Sequence, residues 1–128
     1  MTQPWTIDRL LRDLAARDHH PAVIAFGDDG AVTWDSATVA DKALRLARGL
    51  SEAWVGRGDR VALWAPNSPA WIVTALAVLG SGGVVVPIDD LADAAQLDAA
   101  MASSGARIVF TTSRHFESSA DILSLIHI

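Results

Sequence analysis

Cysteine is absent from this 128-residue chain, and basic residues are scarce, with ten Lys and Arg set against fifteen Asp and Glu. Without cysteine there is no disulfide, no thiolate zinc site and no cysteine nucleophile, which fits a cytoplasmic protein. The net charge is -5, and the few basic residues are scattered through helical segments. No basic stripe can neutralise a phosphate backbone, so no nucleic-acid partner is expected. The N-terminal stretch MTQPWTIDRLLRDLAARDHH carries acids and lacks an apolar core and a small-residue cleavage site, so it does not read as a secretory signal. Charge is missing altogether between Val61 and Ile88. That run exceeds the roughly 20 apolar residues of a membrane span. However, Pro66, Pro69 and Pro87 with Gly80, Ser81, Gly82 and Gly83 divide it into shorter pieces, each of which reads as a buried element.

A composition that is 51% hydrophobic and 20% charged fits one globular core. Thr6 caps a first amphipathic helix carrying Ile7, Leu10, Leu11 and Leu14, ending near Asp18. A hairpin follows, with strands from Ala22 to Phe26 and from Ala31 to Trp34 around the Gly27-Asp28-Asp29-Gly30 turn. Ser36 starts a helix whose Val39, Ala43, Leu46, Ala47, Leu50 and Trp54 share a face expected to meet a sheet, and Gly56 and Gly58 stop it. The strand from Arg60 to Ala65 is too continuously apolar for a sheet with one wet face. Ser68 and Pro69 then open a helix to about Gly80 that is apolar on nearly every side and therefore expected in the interior.

Val84 to Ile88 forms the next strand, Asp93 with Gln96 resembles a capping box, Gly105 ends that helix, and Arg107 to Thr111 forms another strand. A further helix is expected to begin after Phe116. Alternation of this kind implies an α/β fold, a mostly parallel sheet with covering helices and right-handed crossovers, preceded by a helix and a β-hairpin. Residues 1–122 read as one truncated unit. The last six residues, Leu123 to Ile128, resemble an in-frame sequencing adapter and are set apart as a non-native tail. A natural amphipathic turn is the alternative.

Chemistry has few places to sit. Gly80 to Gly83 suggests a phosphate loop, but a phosphate cradle runs from strand through glycines into a helix N-terminus. Here the glycines follow a helix, so a helix stop is the favoured reading. Asn67, after the first parallel strand, stands where open α/β sheets bind ligands, yet it also serves as a turn-former. Asp89 and Asp90, after the next strand, could hold magnesium or act as acid and base, but neither has a partner His, Lys or third acid at a telling spacing. They read as solvated loop or helix-start acids. His19, His20, His115 and His127 show no metal-ligand spacing, and His19-His20 reads as a polar turn. The five tryptophans read as core or interface anchors. No residue is assigned a catalytic, cofactor-binding or metal-binding role.

The order of motifs carries more than any one of them. Thr33-Trp34, Gly58-Asp59-Arg60-Val61-Ala62, Pro66-Asn67-Ser68-Pro69, Gly80 to Gly83, Val86-Pro87-Ile88-Asp89 and Ser104-Gly105-Ala106-Arg107 occur in sequence. This series, covering about Pro21 to Thr112, resembles the N-terminal part of adenylate-forming enzymes: acyl-CoA synthetases, peptide-synthetase adenylation domains and luciferases. The resemblance implies a parent ligase that uses ATP and magnesium to activate a small carboxylic acid as acyl-AMP and passes it to coenzyme A or another thiol. It also implies that the family's phosphate loop, its adenine- and metal-holding segment, its ribose-binding aspartate and its catalytic lysine lie outside this chain. No cofactor is therefore expected for the fragment itself, and the remainder of the synthetase is expected to pack on it. Some relatives carry a basic residue just after the second strand, in a loop that contacts coenzyme A, where this chain has Asp89-Asp90-Leu91. Pro-Ile-Asp resembles peptide-synthetase adenylation domains, whereas Pro-Asn-Ser-Pro-Ala-Trp resembles acyl-CoA ligases, the favoured branch. The rival is a self-contained α/β binding or interaction domain without enzymatic activity.

Overall fold

The computed structural model describes residues 4–118. The tail from Leu123 to Ile128 lies outside the described residues, as does His127. In chain order the elements are α1 (Ile7–Arg17), β1 (Pro21–Gly27), β2 (Gly30–Asp35), α2 (Ser36–Glu52), β3 (Arg60–Trp64), α3 (Pro69–Gly80), β4 (Val84–Ile88), α4 (Ala94–Ser104), β5 (Ile108–Thr111) and α5 (Ser113–Ser118). β1 and β2 form an antiparallel hairpin, and a separate parallel sheet has the order β4-β3-β5.

The helix starts follow directly from side-chain chemistry. Thr6, Asp35, Ser68 and Asp93 each accept a hydrogen bond from a backbone N–H of the first turn they cap. Asp93 and Gln96 complete the expected reciprocal capping box, and Gly105 ends α4 in the left-handed region at φ 74°.

Because β3 lies at the centre of its sheet, its alternate side chains feed two cores. Val61 meets Leu50, Val55, Ala77 and Val78 on the α2 and α3 side. Ala62 and Trp64 meet Leu97, Met101, Ala106 and Val109 on the α4 side. Both faces are therefore covered, which is why Val61 to Trp64 can be apolar without a break. A third cluster, with Leu11, Val39, Ala43 and Val73, ties α1 and α2 to α3 and to Val23 and Trp34 of the hairpin.

Three expectations need correction. α2 ends at Glu52, before Gly56, so Trp54 is not on its buried stripe. Trp54 is 91% exposed at φ 72°, in the slot after the helix where glycine is usual. The rest of the α2 stripe does meet the sheet as expected, and it packs on α1 and α3 besides. α3 is not wholly interior, because Ile72 and Leu79 are exposed. Finally, the last helix begins at Ser113, before Phe116, because Thr112 caps it: the Thr112 backbone oxygen accepts from Phe116 N at 2.9 Å and its hydroxyl from His115 N at 3.3 Å.

Candidate functional site at the carboxyl end of the sheet

Trp64, Ile88 and Thr111 stand side by side in the ladder at the carboxyl ends of β3, β4 and β5. The turns beyond them bring Asn67, Asp89 and Asp90 to one open groove of about 480 Å³, with Pro66, Trp71 and Ile88 in its walls. This is the edge at which open α/β sheets bind ligands. The three polar residues singled out in the sequence thus share a place, and the two carboxylates among them, Asp89 and Asp90, are engaged by their own surroundings.

Asp89 Oδ1 accepts from Leu91 N at 2.9 Å, closing a local turn. Asp90 departs from the sequence expectation. Its Oδ1 lies 2.6 Å from His115 Nε2, and its Oδ2 lies 3.8 Å from Arg114 Nη2. The His115 ring, 7% exposed, stacks on the Trp64 indole with centroids 4.1 Å apart and planes 11° apart. Asp90 therefore does have a histidine partner, supplied by α5 across the sheet rather than by its own loop. A 25-residue separation carries no motif, so sequence spacing missed it. The order β4-β3-β5 sets the ends of β4 and β5 on either side of β3, and no spacing in the sequence encodes that order. His19 and His20 fit the polar-turn reading: His19 lies 3.4 Å from both Asp18 and Asp35 carboxylates, and His20 Nδ1 lies 2.7 Å from the Arg17 carbonyl oxygen.

The phosphate-loop geometry is absent at both turns considered. Ser81, Gly82 and Gly83 direct their N–H groups back to carbonyls of α3, at Ala77, Leu79 and Val78. They finish a helix and leave no nest of free donors for an anion. At the start of α3 the Ser68 hydroxyl accepts from Trp71 N at 3.1 Å, and the flanking prolines bring no N–H. Among the described residues no group of three His, Cys, Asp or Glu side chains could hold a metal ion. The donor set here does not fit ATP phosphates or magnesium, and an acidic groove disfavours the phosphates of coenzyme A. Among the described residues, no helix is long and apolar enough to cross a membrane.

Both faces of the sheet are covered, and at its carboxyl edge Asp90 is held by His115. The chain belongs to the AMP-binding enzyme family, whose model matches residues 11–127. It is 40% identical over 84 residues to a feruloyl-CoA synthase of an Amycolatopsis species, covering 66% of this chain and 17% of that protein. It is 34% identical over 109 residues to a methyl-dioxo-octahydroindenyl propanoyl:CoA ligase of Mycobacterium tuberculosis, covering 85% of this chain and 20% of the relative. The fold matches the crystal structure of a Brucella canis acyl-CoA synthetase with a TM-score of 0.84 at 20% identity, over 97% of this chain and 24% of that one. The chain thus spans about a fifth of the length of these curated relatives and is an N-terminal portion of an AMP-binding enzyme.

Proposed function

We propose that the whole protein is a cytoplasmic, ATP- and magnesium-dependent acid–thiol ligase that activates a small carboxylic acid as its acyl adenylate and transfers the acyl group to coenzyme A. The observation that carries this reading is the 40% identity to a relative named for its CoA thioester product. The motif series Pro66-Asn67-Ser68-Pro69-Ala70-Trp71 supports the acyl-CoA branch over a peptide-synthetase adenylation domain that loads a carrier protein.

Within that ligase the present segment is scaffold. At its strand-to-helix turn Trp71 N is taken up by the Ser68 hydroxyl, the glycine loop has its donors engaged, and Asp90 is held by His115. Groups of this kind cannot stabilise the charge that develops during adenylyl transfer. The segment alone is therefore inactive.

ATP–pyrophosphate exchange tests both statements. The whole protein, supplied with magnesium and a panel of aromatic and aliphatic acids, should exchange label and then form a thioester when coenzyme A is added. The 128-residue chain should remain at background with every acid. Exchange by the short chain would sink the scaffold reading, and transfer to a carrier protein but not to coenzyme A would move the protein to the other branch.

A further inference from the structure

Two polar atoms in the α4-side core have nothing to bond. Among the described residues, Trp64 Nε1 and Thr111 Oγ1 are the buried side-chain nitrogen and oxygen atoms without a hydrogen-bond partner. Both belong to one place. Trp64 and Thr111 are register partners on the adjacent parallel strands β3 and β5, and in-register residues of neighbouring strands stand on the same face. That face is the one beneath α4 and α5, because Trp64 and Val109 pack there with Leu97, Met101 and Phe116, and the two-residue alternation of β5 puts Thr111 with Val109. The His115 ring lies on the indole with centroids 4.1 Å apart, and Asp90 Oδ1 lies 2.6 Å from its Nε2.

The chemistry of the pair narrows what can satisfy it. The indole N–H only donates, whereas the threonine hydroxyl both donates and accepts. A buried polar group with no partner has given up its bond to solvent for nothing, a cost that native structures almost always avoid. No group from the remainder of the protein can reach either atom from outside, since both are already buried within this chain. The partner must therefore be small enough to sit inside, and it must accept from the indole. A bare ion would bring an unpaired charge into an apolar core. Water is neutral, both donates and accepts, and is held by as few as two polar neighbours. Folded proteins contain on the order of one buried water per 27 residues, so a chain of 128 residues is expected to hold several, and these two atoms mark where one is needed.

We infer that Trp64 Nε1 and Thr111 Oγ1 share one internal water, which accepts from the indole N–H and bonds to the threonine hydroxyl. It ties the side chains of β3 and β5 together at the carboxyl end of the sheet, below the layer that the Asp90–His115 bond closes. The inference depends on no activity of the whole protein.

A crystal structure of the whole protein, at a resolution where ordered solvent is visible, tests this. A solvent oxygen is expected about 2.7–3.2 Å from both atoms. A direct bond between Nε1 and Oγ1, a protein group seated on either atom, or no solvent oxygen in reach of both overturns the inference. Two substitutions at Thr111 give an independent sign. Thr111→Val keeps the shape of the side chain and removes the hydroxyl, so it should shift the unfolding midpoint of the whole protein to lower urea. Thr111→Ser keeps the hydroxyl and should retain the solvent oxygen in the crystal. A Val variant as stable as the native protein, or more so, would mean that the hydroxyl is buried without a partner and would overturn the bridge. Loss of the solvent oxygen in the Ser variant would do the same.

Discussion

Asp90 Oδ1 and His115 Nε2 lie 2.6 Å apart across the carboxyl edge of the sheet, joining the loop after β4 to the helix after β5. The bond holds the imidazole flat on Trp64, whose indole is 1% exposed. One polar contact thereby closes the end of the α4-side core. Trp64 Nε1 and Thr111 Oγ1 are buried beneath this layer without a hydrogen-bond partner among the described residues.

His115→Ala removes both the bond and the ring that covers Trp64. A partner lost from a part-buried hydrogen bond costs about 1–3 kcal/mol, and a stacked ring pair adds about 0.5–1.5 kcal/mol. Urea unfolding should show a lower midpoint at an unchanged slope. Asp90→Asn keeps an acceptor for His115 and should lose less. Equal losses for the two variants would mean that the stack contributes nothing.

Trp54 calls for the opposite sign. It follows α2 at φ 72° with its side chain 91% exposed, while Val55 N donates back to Leu50 O at 2.9 Å in the usual left-handed helix ending. A bulky residue in that conformation costs about 1–2 kcal/mol relative to glycine, and its exposed ring packs against little in return. Trp54→Gly should therefore raise stability by about 0.5–1 kcal/mol once the larger backbone entropy of unfolded glycine is counted. A lower denaturation midpoint would show that the indole makes a stabilising contact.

What could be read from the sequence was what depends on near neighbours. Caps at Thr6, Ser68 and Asp93, the Gly105 stop and the two-sided burial of Val61 to Trp64 are all local chemistry, and all stand in the structure. The family motifs are likewise punctuation at turns. Trp54 failed because helical spacing continues on paper past Glu52, where α2 ends. Asp90 and His115 failed because their meeting depends on strand order, which brings the loop after β4 and the helix after β5 together across β3, although β4 and β5 are not neighbours in the sheet. The candidate site was thus legible as positions, at Asn67, Asp89 and Asp90, but not as partners.

Gly83 sets how closely α3 returns to the sheet. A Cβ added there would lie 3.0 Å from Val78 Cγ1, 3.1 Å from Val78 O and 3.2 Å from Asp59 O. Two of those atoms are backbone, one of them the acceptor of the Val84 N–H that aligns β4 with β3. Overpacking of this kind costs about 1–3 kcal/mol. Gly83→Ala should lower the melting temperature, whereas Gly49→Ala, with nothing within 4 Å of its added carbon and a helical position, should raise it slightly. If the two substitutions behaved alike, the close approach at Gly83 would not be limiting.

Asp35 gives the acid dependence a sign. The Thr38 side chain and backbone N–H, and to a lesser degree His19, hold its carboxyl below the ordinary value of 3.8. The Thr38 N–H donates to Oδ1 at 2.8 Å, so it is the ionised form that caps α2. A group with its value depressed by folding stabilises the fold fully above its unfolded value and loses that contribution as pH falls through the lower folded one. Asp35→Asn still caps the helix but cannot titrate. The wild-type chain should therefore exceed the Asn variant in stability at neutral pH, and the gap should close as the solution is acidified below 3.8. Chemical unfolding of both chains along that range is the measurement, and a gap that stays constant into acid would show that the charge on Asp35 does not support α2.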